Sequence, residues 1–266
     1  MTTVFRNPPL IEMIAELRWS GQGQSTLPVI MPGANGPAEA MFLQWTARMG
    51  ALGYEHVERL VPVGFPLPLD APTLRVKQKT GMPQNTLFQL GPQLFTANAT
   101  PPYLSWQDFA PTAREGAAAL LAVRPEPEAT APFQVALRYI DAFREPLLRG
   151  QTPMQFLSET LGIAIEAPTA ITRHAESGAE LGALVQLVVP VAGGMMRVQF
   201  AEGIVSNDPA LIMDMTVSRT ESVDPHVDAI MHALGQARTI THDVFMELTT
   251  RIADLMQPEV RQREEA

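Results

Sequence analysis

The chain contains no cysteine. That excludes disulfides, thiolate nucleophiles and cysteine-ligated metals, and it suits the reducing cytoplasm, where the protein is expected. Long hydrophobic runs are missing too. No window reaches the ~20 apolar residues of a membrane helix, and the most apolar stretch, ALVQLVVPVAGGMM (183–196), is interrupted by Gln186, Pro190, Gly193 and Gly194. The first residues show no basic segment followed by an apolar run of signal-peptide length, so neither membrane attachment nor targeting is expected. Aromatic residues make up 6% of the chain, and 19 basic against 28 acidic residues leave a net charge of -9. Clustered cations and stacking rings are what nucleic acid requires, so the composition argues against a nucleic-acid binder. There is no Gly-x-Ser-x-Gly, Gly-x-Gly-x-x-Gly or P-loop motif. The five histidines include no His-x-x-x-His pair, and His232 and His242 stand ten residues apart on one predicted helix. No catalytic residue, metal or cofactor is therefore assigned.

What is present is architecture. The 266 residues suffice for a sizeable core, and 24 prolines imply many short elements with stiff connections. The stretch NPPLIEMIAELRW (7–19) fits two periods. Helical spacing aligns Leu10, Met13, Ile14 and Leu17. Strand spacing places Ile11, Met13, Ala15, Leu17 and Trp19 on one face and Glu12, Glu16 and Arg18 on the other. A helix with Met41, Phe42, Trp45, Met49 and Leu52 on one stripe follows. Four strands come next: HVERLVP, TLRVKQK, and the pair within TLFQLGPQLFTAN around a Gly91-Pro92 turn. Ser105 and Asp108 form a capping-box signal for the next helix, whose buried face is Trp106, Phe109, Ala113, Leu120 and Leu121, with Pro111 expected to kink or detach its first turn.

RPEPEATAP (124–132) reads as the linker. Beyond it FQVALRYIDAF is a strand, with Phe133, Val135, Leu137, Tyr139 and Phe143 sharing a face. Thr152-Pro153-Met154-Gln155 starts a helix. Four strands follow, AITRHA, ALVQLVVPV, MMRVQFAEG and ALIMDMTVS, and then a final helix from Asp224-Pro225 to Pro258, roughly 48 Å long at 1.5 Å per residue. If 7–19 is a strand, both halves share the order strand, helix, four strands, helix. The predicted fold is α+β: two such repeats, 1–124 and 133–257, form a curved antiparallel sheet with long helices on one face, one compact unit with a polar tail at 258–266. This element order resembles the TATA-binding-protein fold and, more loosely, the helix-grip fold, in which the face opposite the helices is left for a ligand or partner.

NPPLIEMIAELRW, LQLGPQLFTANATPPYLSWQDF, ALRYIDAF and THDVFMELTTRI, in that order, resemble a sporadically distributed, uncharacterised bacterial family of about this length. Its members open on an Asn-Pro-Pro-hydrophobic-Glu run. The resemblance spans nearly the whole chain and implies a full-length architecture, with no activity attached. Asp141 and Ala142 stand where that family usually has an Asn-His-like pair.

The candidate contacts for a partner or ligand are Glu12, Glu16, Arg18, Arg75, Lys77, Lys79, Met213 and Met215. Glu12 and Glu16 lie about 13 Å apart at strand rise, beyond the roughly 5–9.5 Å of a glycosidase pair. Arg75, Lys77 and Lys79 make a basic stripe that suits an edge strand guarded by cations. Met213 and Met215 give one strand a polarizable apolar face. The function expected is non-catalytic binding of a protein partner through the sheet face or an edge strand, with homo-oligomerisation permitted. The alternatives are a small-molecule cavity between sheet and last helix, a nucleic-acid binder, or an enzyme without a recognisable motif.

Overall fold

The computed structural model describes residues 2–19, 36–82, 85–102, 105–126, 128–176 and 182–261. Thr2–Phe5 forms β1 and Leu10–Arg18 forms β2. Met13, Ala15 and Leu17 of β2 are buried, while Glu12, Ile14, Glu16 and Arg18 alternate on the opposite face, so the period of two prevails over the helical stripe. Helix α1 (Gly36–Ala51) buries Met41, Phe42, Trp45 and Met49 as their spacing predicts. Strands β3 (His56–Arg59), β4 (Leu74–Lys77), β5 (Thr86–Leu90) and β6 (Leu94–Ala99) lead to helix α2 (Trp106–Leu121). The Ser105 hydroxyl accepts from the Asp108 N–H, and the Asp108 carboxylate accepts from the Ser105 N–H, each at 3.2 Å. That reciprocal cap satisfies two helix-start donors. Pro111 lies inside α2 without detaching its first turn.

Strand β7 (Gln134–Phe143) opens the second half, followed by α3 (Pro153–Gln155), which widens into a π turn over Phe156–Thr160, and the short α4 (Thr169–Thr172). Then come β8 (Val185–Val191), β9 (Gly194–Val205), β10 (Asp208–Arg219), helix α5 (Val227–Leu248) and β11 (Pro258–Arg261). Nine strands make one open antiparallel sheet in the order β3-β4-β5-β6-β2-β7-β10-β9-β8. β2 and β7 are neighbours at its middle, with Ala15 opposite Leu137 and Leu17 opposite Val135. The fold is thus α+β, a curved sheet with helices, as expected. Helices α1, α2 and α5 pack against the face that carries Val76, Phe88, Leu137 and Val217. Among the described residues no helix is long and apolar enough to cross a membrane.

Four expectations change. AITRHA contributes helix α4 rather than a strand, so the second half has three strands between its helices. Ile171, its one large apolar residue, is 63% exposed, so the stretch has no apolar face to bury in a sheet. The last helix ends at Leu248 and gives way to a 3-10 turn at Thr250–Ile252. There the Thr249 hydroxyl donates to the Phe245 carbonyl at 2.7 Å and the Thr250 hydroxyl to the Met246 carbonyl at 2.9 Å, competing with the helical ladder. The polar tail begins as β11, which pairs antiparallel with β1; 262–266 lie outside the described residues. The linker is anchored. Arg124 is 5% exposed, its guanidinium lies 4.3 Å from the Phe133 ring centroid and 5.1 Å from that of Trp19, and it donates to the Ala131 carbonyl at 2.9 Å. Burial lowers its pKa to about 10, so it stays charged at neutral pH, held by cation–π contact.

Two helical glycines test the packing. A Cβ on Gly116 of α2 would sit 2.2 Å from Cε1 of Phe88, whereas one on Gly235 of α5 meets nothing within 4 Å. Gly116→Val is expected to destabilise by about 1–3 kcal/mol through overpacking. Gly235→Ala is expected to stabilise by about 0.4–1 kcal/mol. Urea unfolding monitored by tryptophan fluorescence checks both.

Candidate functional site

The alternation of β7 brings a carboxylate into the core. Val135, Leu137 and Phe143 are buried beneath the helices, and Asp141 has the same parity. It is 2% exposed, and among the described residues its Oδ2 has no hydrogen-bond partner. Its neighbours across the sheet are Met213 of β10 and Leu10 of β2. The register of β2 against β7 slips between Leu10 and Glu12, a bulge beside this carboxyl of the kind that re-aims side chains near sites.

Above Asp141 lies a cavity of about 50 Å³, room for a few waters or a small organic group. Its floor is Leu10, Tyr139, Asp141 and Met215 from three adjacent strands; Arg238, Thr241, His242 and Phe245 of α5 form one wall. These four recur at spacings of three and four, which puts them on one face of the helix. The first turn of α2 closes another side with Ser105, Trp106 and Gln107, and Phe5 and Pro8 complete the lining. The Ser105 hydroxyl is occupied by Asp108 at 2.7 Å, and the Thr241 hydroxyl donates to the Arg238 carbonyl at 3.0 Å.

Burial raises the Asp141 pKa to about 8, so the group is largely a neutral acid at pH 7. His242 is held below its ordinary value, first by burial and then by the Arg238 charge, with Asp243 opposing; at pH 7 it is a neutral imidazole. The site thus offers a carboxylic acid and an imidazole within a mostly apolar enclosure. An unsatisfied buried polar group costs about 1–3 kcal/mol, and such groups concentrate at functional sites.

The residues singled out by sequence separate into three places. Glu12, Glu16 and Arg18 lie on the uncovered sheet face. Asn98 Nδ2 donates to Glu12 at 2.7 Å, and Arg18 Nε donates to Glu16 at 2.6 Å. Beside them Arg138 grips Asp214 through two nitrogens, Nε at 2.7 Å. Arg75, Lys77 and Lys79 sit near the far edge, where Glu58 takes the first two at 3.3 and 3.6 Å and Glu55 takes Lys79 at 3.2 Å. The edge strand itself is β3, not β4. Met213 and Met215 are fully buried and present no surface to a partner, but Met215 faces the cavity. Asp141, Arg238 and the cavity role of His242 escaped sequence reasoning. The signal was available: an aspartate at the parity of Val135, Leu137, Tyr139 and Phe143.

A wider depression of about 680 Å³ is lined by Glu145, Gln151, Thr152 and Asp208, none of them buried. It lacks an unpartnered buried group. The chain matches no protein-family model and no curated protein.

Asp141 gives folding a pH dependence of known sign. Its folded pKa of about 8 lies above the ordinary unfolded value of 3.8, so the folded state holds a proton that the unfolded chain releases. The resulting stability is complete below pH ~4 and is lost as pH rises through ~8, at roughly 1.4 kcal/mol per pH unit across that window. Asp141→Asn is expected to flatten this decline, measured as urea midpoints from pH 5 to 8.5.

Proposed function

We propose that the protein binds a small molecule in the cavity between the sheet and α5. The observation that carries this reading is Asp141, buried with an Oδ2 unpartnered among the described residues and lining a mostly apolar enclosure. Ligand cavities combine apolar walls with a few convergent polar groups. Here those groups come from β7, α5 and the start of α2, elements that the fold already holds in place. The uncovered sheet face gives weaker support to the alternative, because its charged groups satisfy one another: Arg138 with Asp214, Arg18 with Glu16, Asn98 with Glu12. We further read the chain as a duplicated unit of the TATA-binding-protein type, with β2 and β7 as equivalent first strands on either side of the junction at 124–133. The lack of cysteine fits residence in the cytoplasm.

One observation favours a protein partner as a second reading. The two edges of the sheet differ in chemistry. Strand β3 (HVER) carries His56, Glu58 and Arg59, whereas β8 (VQLVVPV) has no ionisable residue and exposes Leu187, Val188 and Val189 at 43%, 54% and 42%. Edge strands are ordinarily guarded by charge, and an unguarded one invites a partner's strand by β-augmentation.

Two measurements separate the readings. Native mass spectrometry of the protein from its own host is expected to show a retained small molecule, and its removal is expected to shift the Met215 methyl resonance but not that of the distant Met49. A bare chain whose Met215 signal no extract moves would sink the cavity reading. For the edge, Val188→Lys is expected to abolish any copurifying protein complex while leaving the fold intact; a complex that survives the substitution rules out β8 as its seat.

A further inference from the structure

The cavity holds an acid on the sheet side and a cation on the α5 side, and the described residues pair neither. At the floor, burial is the sole cause of the Asp141 shift, and no charged neighbour acts on it among the described residues. At the α5 wall, Arg238 lines the same cavity and forms no ion pair among the described residues. Its charge is felt by His242, one turn along α5, and leaves no mark on Asp141. The two groups share an enclosure and form no ion pair with each other. Three other half-buried arginines have carboxylate partners: Arg138 with Asp214, Arg59 with Glu39, Arg18 with Glu16.

The first turn of α2 lines the cavity through Ser105, Trp106 and Gln107, and its capping donors are taken by Asp108. On the sheet side the lining beside Asp141 is Leu10, Tyr139 and Met215. Between the poles, Leu10, Met215 and Phe245 suit a short hydrocarbon.

Resting on the cavity reading, we propose that the ligand is a small zwitterion, an amino acid or ω-amino acid, whose ammonium meets the Asp141 carboxylate and whose carboxylate meets Arg238. The ammonium supplies the countercharge that the chain withholds from Asp141. The carboxylate occupies Arg238 beside a neutral His242 able to donate one ring N–H. When Asp141 is protonated in the free protein, binding releases that proton to solvent, and charge balances. The small volume limits the ligand to a few heavy atoms, so the pole-to-pole spacing selects chain length.

The test uses the full chain with the Met215 methyl signal as readout. The probes are glycine, 3-aminopropanoate, 4-aminobutanoate and 5-aminopentanoate, with n-propylamine, propanoate and propan-1-ol as partial matches. One zwitterion is expected to bind at least tenfold more tightly than n-propylamine or propanoate. Asp141→Asn and Arg238→Gln are each expected to weaken it at least tenfold. Arg238 is only half-buried, so its variant tests the pole without disturbing the core. If n-propylamine or propanoate binds as well as every zwitterion, or Arg238→Gln binds like the parent, the zwitterion inference is overturned. If propan-1-ol moves Met215 and no zwitterion does, the cavity reading stands and the inference falls. If no probe moves Met215, both fall.

Discussion

The pairing of β2 with β7 is the constraint on which the rest depends. It joins the first and last halves of the chain at the centre of the sheet, and its register decides which side chains face the helices. With Ala15 opposite Leu137 and Leu17 opposite Val135, the odd-numbered residues of β7, and of β2 from Met13 on, go inward, while the bulge before Glu12 brings Leu10 to the same side. A slip by one residue would send all of them to the open face. The same register that buries Val135 and Leu137 also carries Asp141 inward, and α5 and the capped start of α2 close over it. The site is a consequence of the central pairing rather than an addition to it.

The two faces of the sheet then follow different physics. The covered face is mostly apolar, and in its cavity a carboxyl lacks a partner among the described residues. The open face is polar and largely self-paired, with Arg138 bridging to Asp214 and a Thr96–Asn98–Glu12 chain of hydrogen bonds. Exposed ion pairs contribute little to stability, about 0–1 kcal/mol each, but they leave few charges in search of a partner. The unmet demand lies on the buried side.

Much of this was legible in the sequence. The matching element order of the two halves favoured the strand period for 7–19, which β2 bears out, and Ser105 with Asp108 announced α2. The basic stripe was visible as well, though not its acidic partners on β3. What stayed hidden involves long-range pairing. β1 and β11 are four residues each and lie more than 250 residues apart, with no local signal that they meet. The chain 124–132 looked like a loose linker because composition alone cannot show Arg124 folding back onto Trp19 and Phe133. Asp141 interrupts the apolar row of Val135, Leu137, Tyr139 and Phe143, and only strand parity signals that it lies inside.

The central claim is that Asp141 is a buried acid held without a partner until a ligand arrives. A carbon-13 NMR titration of its side-chain carboxyl in the ligand-free protein tests this most directly. The account predicts a midpoint near 8, set by burial. A midpoint in the ordinary carboxylate range, with the signal following bulk pH from about 4, would mean that water or a protein cation already satisfies the group, and would contradict it.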